Sequence, residues 1–313
     1  MLATRRNSRE RRHGRLAARG LVIVAVLAAT AASAAPSYAW VVPPEGAAGI
    51  TSSPPAAAVP PVQVRGGELV DLSTGALLWS QDANVSRPMG SITKVMTALV
   101  VLRAGDLGRE ITVTKAAVRY AQRNGASSAG LIAGDVLTAA QLLEAMLLPS
   151  GCDAAYLLAN AYGPGVPAFI TKMNATAKAL DMTSTHFSWF DGMPYPTEYS
   201  TYSTPTDLIR LGVAAMRSSV FRNIVGRPSY DLPATARHHS YRWDTTNALI
   251  GSYRGAVGIK TGDTSAAGNC LLFGAVRDQG TLIGVVLHAR PTSNPGSAIL
   301  AGAQVLNWGY GQI

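Results

Sequence analysis

Gly90-Ser91-Ile92-Thr93-Lys94-Val95-Met96-Thr97 is the stretch that decides how this chain is read. It sets a serine three residues ahead of a lysine at the head of an apolar run: Ile92, Val95, Met96, Leu99, Val100 and Leu102. Those positions fit a buried helix, and Pro88 and Gly90 suit its start. Residues three apart share a helical face, so Ser91 and Lys94 should be neighbours. A serine hydroxyl is a poor nucleophile at neutral pH until a base takes its proton. A lysine serves as that base when burial or a nearby cation favours its neutral form. Alone, Ser-x-x-Lys is short and common, and an ordinary helix with a serine at its start explains it equally well.

Two more short motifs stand further along. Ser150-Gly151-Cys152 falls in the turn between two expected helices, 59 residues after Ser91. Lys260-Thr261-Gly262 ends an expected strand, 110 residues after Ser150. Each is nearly uninformative by itself, but the trio in this order is much more specific.

The segments around the motifs give the fold class. Residues 68–79 read as a β-hairpin turning at Ser73-Thr74-Gly75, and Ile111 to Thr114 as a short strand. Thr138 to Leu148 reads as a helix capped by Thr138 and ended by Pro149. Asp153 to Tyr162, Ala168 to Leu180 and Thr206 to Ser218 read as further helices, and the aromatic residues 184–204 as a structured loop. The period then changes to two. Residues 240–243, 256–260, 270–276 and 281–287 read as antiparallel strands, with tight turns at Gly262-Asp263 and at 278–280. A last helix covers Ser297 to Asn307. Strands at both ends with helices between them predict an α+β fold: an antiparallel β-sheet completed by the N-terminal hairpin, flanked by helices, with an inserted all-helical lobe.

Composition narrows the setting. Apolar residues make up 48% of the 313, ample for a core. The net charge is +9, but residues 1–39 hold seven arginines against Glu10 and so carry +6, leaving +3 for the rest. The basic character belongs to the leader, which argues against nucleic-acid binding. Residues 1–39 read as a signal peptide: an Arg-rich start, an apolar stretch of 15 residues from Leu21 to Ala35, then small residues suited to cleavage. That stretch is short of the roughly 20 residues that span a bilayer; an uncleaved N-terminal anchor is the alternative. Residues 40–61 are a Pro/Ala-rich linker, and 62–313 form the catalytic domain. The expected location is outside the membrane, secreted or N-terminally anchored, with membrane contact at most through the N-terminal segment. Cys152 and Cys270 could form one disulfide, which sequence leaves open. Cys270 on an apolar strand reads as core, His238-His239 as solvated loop, and His186 as ordering its loop. No ligand spacing suggests a metal, and no cofactor is expected.

The three motifs, together with Leu148 to Ala155, Thr185 to Gly192, Tyr202 to Leu208 and Ala267 to Leu271, resemble the low-molecular-mass serine D-alanyl-D-alanine carboxypeptidases/transpeptidases, the penicillin-binding proteins of that group. The likeness covers most of residues 62–313, and a streptomycete D,D-transpeptidase form of the family also carries Ser-Gly-Cys. The resemblance implies the penicillin-binding/β-lactamase-like transpeptidase fold and an acyl-enzyme on Ser91. Lys94 would be the base, and Ser150 would relay a proton to the leaving amine. Lys260 would stand across the site, favouring neutral Lys94 and attracting the substrate carboxylate, which Thr261 would hydrogen-bond. Gly262 belongs to the same motif. The oxyanion would be held by the backbone N–H groups of Ser91 and Asp263. The implied partners are a peptidoglycan stem peptide ending in D-Ala-D-Ala and β-lactams as covalent inhibitors, the chain acting as a monomer.

Three positions depart from the family pattern. Cys152 replaces an asparagine that contacts lysine and substrate amide, and a thiol is a weak hydrogen-bonder. Asp263 sets a carboxylate beside an anionic substrate unless it points away or pairs with a base such as Arg254. Arg290 comes early, with Pro295 near the place of a carboxylate-binding arginine. The rivals are a β-lactamase and a non-enzymatic wall-binding module. The first needs a deacylating glutamate, and Glu198, the only one between the second and third motifs, lacks that context. The second would be favoured by loss of Ser91, Lys94 or Lys260, and none is lost.

Overall fold

A computed structural model describes Trp40 and residues 62–313. The expected signal peptide, and the linker apart from Trp40, lie outside the described residues. Among the described residues no helix is long and apolar enough to cross a membrane.

The chain opens with β1 (Gly66–Asp71) and β2 (Ala76–Gln81), the expected hairpin, in which Gly75 supplies the turn's positive φ of 77°. Then come α1 (Thr93–Ala104), β3 (Glu110–Thr112), α2 (Lys115–Arg123), β4 (Val136–Thr138), α3 (Ala139–Leu147), α4 (Cys152–Tyr162) and α5 (Val166–Ala179). After the 184–204 loop follow α6 (Pro205–Met216), α7 (Ser219–Val225), β5 (Ser229–Leu232), β6 (Tyr241–Asp244), β7 (Ala256–Thr264), β8 (Gly268–Arg277), β9 (Gly280–Ala289) and α8 (Ser297–Tyr310). The main sheet is antiparallel throughout, in the order β2-β1-β9-β8-β7. The first and last strand groups therefore close one sheet around the intervening helices, as the α+β reading requires.

Both faces of the sheet are covered, which is why β8 and β9 read as nearly unbroken apolar runs. Leu271, Phe273 and Ala275 pack with Leu282, Val286 and the α8 residues Ala301 and Val305. Their alternates, Cys270, Leu272, Ile283, Val285 and Leu287, pack with Val95, Leu99, Leu208 and Leu211 of α1 and α6. Gly284 is required here, since a Cβ would lie 2.5 Å from the Phe273 ring.

Local chemistry sets the helix starts. Thr138 and Gln141 form the reciprocal capping box of α3, while Thr114 and Thr204 cap α2 and α6. One expected turn is corrected: β7 runs through Gly262 and Asp263 to Thr264 and pairs with β8 to its end, so the reversal lies at residues 265–267. The glycine signal there serves a close approach, described below, and not a turn. Helices α2 and α7 and strands β4 and β5 were not expected; each is short, from three to nine residues, and held by neighbours.

Candidate active site

Ser91 sits in a 3-10 turn, Gly90–Ile92, immediately before α1. The turn is pressed against the strand that carries the third motif. A Cβ on Gly90, whose φ is 54°, would lie 2.8 Å from the Asp263 nitrogen, and one on Gly262 would lie 2.2 Å from Met89 O and 3.1 Å from Ser91 N. Two glycines thus let the backbones of the Ser91 turn and the Asp263 strand meet.

Lys94, one turn into the helix, is fully buried. Its Nζ stands 2.8 Å from Ser91 Oγ and donates to Asp191 O at 3.1 Å. Ser150 joins α3 to α4 in the left-handed region, φ 64°, which few residues other than glycine adopt. Its Oγ is buried and has no hydrogen-bond partner among the described residues. Gly151 follows because a Cβ would lie 2.6 Å from Ala145 O. Asp153, fully buried at the start of α4, accepts from Ala129 N at 2.9 Å, Ser128 Oγ at 2.7 Å and Leu131 N at 3.3 Å. It thereby fixes the loop that carries Ser127.

Lys260 on β7 is also fully buried, with Thr261 O at 3.1 Å and Thr261 Oγ1 at 3.4 Å from its Nζ. Burial, and then the charge of Lys94, hold its pKa well below the usual lysine range. Thr261 Oγ1 is also 2.6 Å from Thr246 Oγ1.

A cleft of about 210 Å³ runs between these elements, lined by Ser91, Ser127, Ser150, Thr246, Thr261, Gly262 and Asp263, with Asn269, Pro295 and Ile299 at one end. Five of the expected site residues line it: Ser91, Ser150, Thr261, Gly262 and Asp263. The other three, Lys94, Cys152 and Lys260, are buried behind it. Cys152, expected to touch substrate, is 1% exposed, and burial pushes its thiol up to about 12. It does not pair with Cys270: both are free and buried. Cys270 sits in the core, as expected, its thiol directed at Ala267 O.

Asp263 is exposed, and partial desolvation raises its carboxyl above the usual aspartate range. Arg254 lies with Asp278, at 3.9 Å. Arg290 lines a different groove with His288 and Gln63, while Pro295 lines the cleft. The solvated-loop reading is corrected for His238, which is buried; His239 is exposed as expected, with its Nδ1 2.8 Å from Asp135, which anchors the loop before β6. His186 orders its loop as expected, pairing by backbone with Tyr202.

Sequence reasoning did not single out Ser127, Thr246, Asn269 or Asp191. They come from segments far apart in the chain; only Asp191 and Asn269 fell within stretches carrying the family resemblance. Asn269 Nδ2 donates to Thr292 O at 3.0 Å, Asn294 O at 2.9 Å and Ser297 Oγ at 2.9 Å, holding the loop that brings Pro295 to the cleft.

Comparison with known proteins agrees with this geometry. The D-alanyl-D-alanine carboxypeptidase of Streptomyces sp. (strain K15) is 40% identical over 278 residues, 84% of this chain and 94% of that protein. D-alanyl-D-alanine carboxypeptidase DacB2 of Mycobacterium tuberculosis is 35% identical over 247 residues, covering 77% and 80%. The crystal structure of the Streptomyces K15 DD-transpeptidase superposes with a TM-score of 0.76 at 38% identity, covering 82% of this chain and all of that one. The peptidase S11 family, described as D-alanyl-D-alanine carboxypeptidase, matches residues 55–291, which include all three motifs, and the chain belongs to that family.

Proposed function

We propose that this protein is a serine-type D-alanyl-D-alanine carboxypeptidase/transpeptidase that works through an acyl-enzyme on Ser91. The observation that carries the reading is the 2.8 Å approach of Lys94 Nζ to Ser91 Oγ at the foot of a cleft. Ser91 Oγ attacks the carbonyl between the two D-alanines of a peptidoglycan stem peptide, and its proton passes to Lys94. The oxyanion forms between the backbone N–H groups of Ser91 and Asp263, and such a donor is worth about 3 kcal/mol. The C–N bond then breaks. The proton held by Lys94 reaches the leaving amine through Ser150 Oγ, whose hydroxyl has no other partner. Thr261, backed by Thr246 and with the Lys260 amine behind it, takes the terminal carboxylate. Water or an amine resolves the ester, giving hydrolysis or transpeptidation.

The cleft-lining residues include no glutamate to activate a deacylating water. Benzylpenicillin should therefore label the protein stably, and nitrocefin should give a burst with slow turnover; rapid turnover would favour the β-lactamase reading. Ser91→Ala should abolish labelling, and labelling that survived would remove the nucleophile assignment. Incubation with a diacyl-D-Ala-D-Ala peptide plus glycine, with hydrolysis and aminolysis products separated, gives the balance between the two outcomes. The chain acts as a monomer, and sedimentation of the purified protein tests that. Residues 1–39 serve as the export signal and residues 40–61 as the tether, and the mass of the protein recovered from culture medium tests both.

A further inference from the structure

Two buried lysines behind one cleft bring positive charge that calls for a counter-charge. Asp191 supplies a carboxylate at that place and is fully buried. Its two oxygens are met by neutral donors: Tyr120 OH at 2.8 Å from Oδ2 and Met193 N at 2.9 Å from Oδ1. Tyr120 is itself oriented, because its hydroxyl accepts Trp189 Nε1 at 2.7 Å and so directs its own hydrogen at Asp191. The Tyr120 ring is packed against Tyr156 and Phe190, with centroids at 5.3 Å and 5.5 Å. The main-chain oxygen of Asp191 meanwhile receives Lys94 Nζ.

The 190–193 segment cannot drift from the nucleophile. Thr97 Oγ1 donates to Phe190 O, and a Cβ on Gly192 would collide with Gly90 O. Titratable groups from four helices and strands meet here: Lys94 from α1, Tyr120 from α2, Cys152 and Tyr156 from α4, and Lys260 from β7. The Cys152 thiol feels the charges of both Lys94 and Asp191.

We propose that Asp191 is a positioning residue for the base: its carbonyl oxygen holds Lys94 at Ser91, and its carboxylate, locked by Tyr120, sets the charge environment of Lys94. The inference rests on the acylation chemistry given above. A negative charge close behind Lys94 favours its protonated form, so removing that charge should free the base at lower pH.

The test is the rate constant for acylation by benzylpenicillin, measured across pH on the full chain. Asp191→Asn removes the charge at nearly constant size, and the ascending limb should move to lower pH by about one to three units. Tyr120→Phe keeps the carboxylate but removes the donor that shares its charge, and the limb should move the other way by less. A uniform loss of rate with the limb unmoved, in either variant with native near-UV dichroism, would show a merely structural role and overturn the proposal, as would a shift of opposite sign. If Asp191→Asn does not fold, the Tyr120→Phe limb decides alone. Wild-type protein that penicillin fails to acylate at Ser91 would refute the functional reading; labelled wild type with unmoved limbs would refute only this inference.

Discussion

The two lysines of the cleft lie on opposite sides of it and are held in different ways. On the helical side, Lys94 stands between two acceptors, Ser91 Oγ at 2.8 Å and Asp191 O at 3.1 Å. On the strand side, Lys260 is hydrogen-bonded among the described residues to its neighbour Thr261, at 3.1 Å and 3.4 Å. Both are fully buried. Burial removes the water that would solvate a charged amine, and it is Lys260 whose pKa is held well below the usual lysine range. The helical side thus fixes a geometry, a base at a nucleophile. The strand side contributes an electrostatic field whose strength depends on pH.

Substituting each lysine separately breaks that comparison most directly. Lys94→Met should lower the rate of penicillin acylation by about a thousand-fold or more, since the proton of Ser91 loses its acceptor. Lys260→Met should cost less, about 10- to 100-fold, expressed mainly as weaker binding of carboxylate-bearing peptides. Equal losses in both would mean that the two sides do the same work.

Stability sharpens the contrast. The folded pKa of Lys260 lies below its unfolded value, so over the interval between them the unfolded chain binds a proton that the native protein does not. Stability therefore rises with pH towards the ordinary lysine value of about 10.4, and below that the buried amine is a cost. Lys260→Met should raise Tm at neutral pH by the equivalent of about 1 kcal/mol or more, with the gain shrinking in alkaline buffer. A pH-independent change would remove the electrostatic account.

Gly90 joins the two sides. Gly90→Ala puts a methyl 2.8 Å from Asp263 N at a φ of 54° and should cost about 1–3 kcal/mol, read as a lower Tm together with slower acylation. Acylation unchanged at lowered Tm would mean that the approach of turn and strand matters for folding alone. The smallest effect concerns the thiols. Cys152 and Cys270 are buried and free, and burial holds each at about 12. Neither should take up iodoacetamide in the native protein at mildly alkaline pH, and both should do so once it is denatured without reductant.

Much of the frame was legible in residue patterns. The apolar run after Ser91, the Thr138 cap, the Gly75 turn and the alternation in 270–287 each act over a few residues, so local sequence reports them. Asp263 shows where that stops. Gly262-Asp263 has the composition of a tight turn, yet the pair continues β7 because the Met89–Ser91 backbone packs against it. The adjacent histidines show the same: both read as solvated loop, yet His238 is buried, and the exposed His239 is anchored by Asp135, 104 residues earlier. A contact across that distance leaves no local trace.

For Ser91 and Lys94, spacing by itself was sufficient, because three residues at a helix start bring two side chains together whatever surrounds them. Sequence likewise supplied the order of the three motifs and the α+β class. The tertiary structure decided the rest: which expected residues line the cleft, that Cys152 lies behind it, and that Asp191 and Tyr120 stand at the base. Burial and charge are properties of what packs around a residue, and the packing partners here come from α1, α2, α4, β7 and the 184–204 loop.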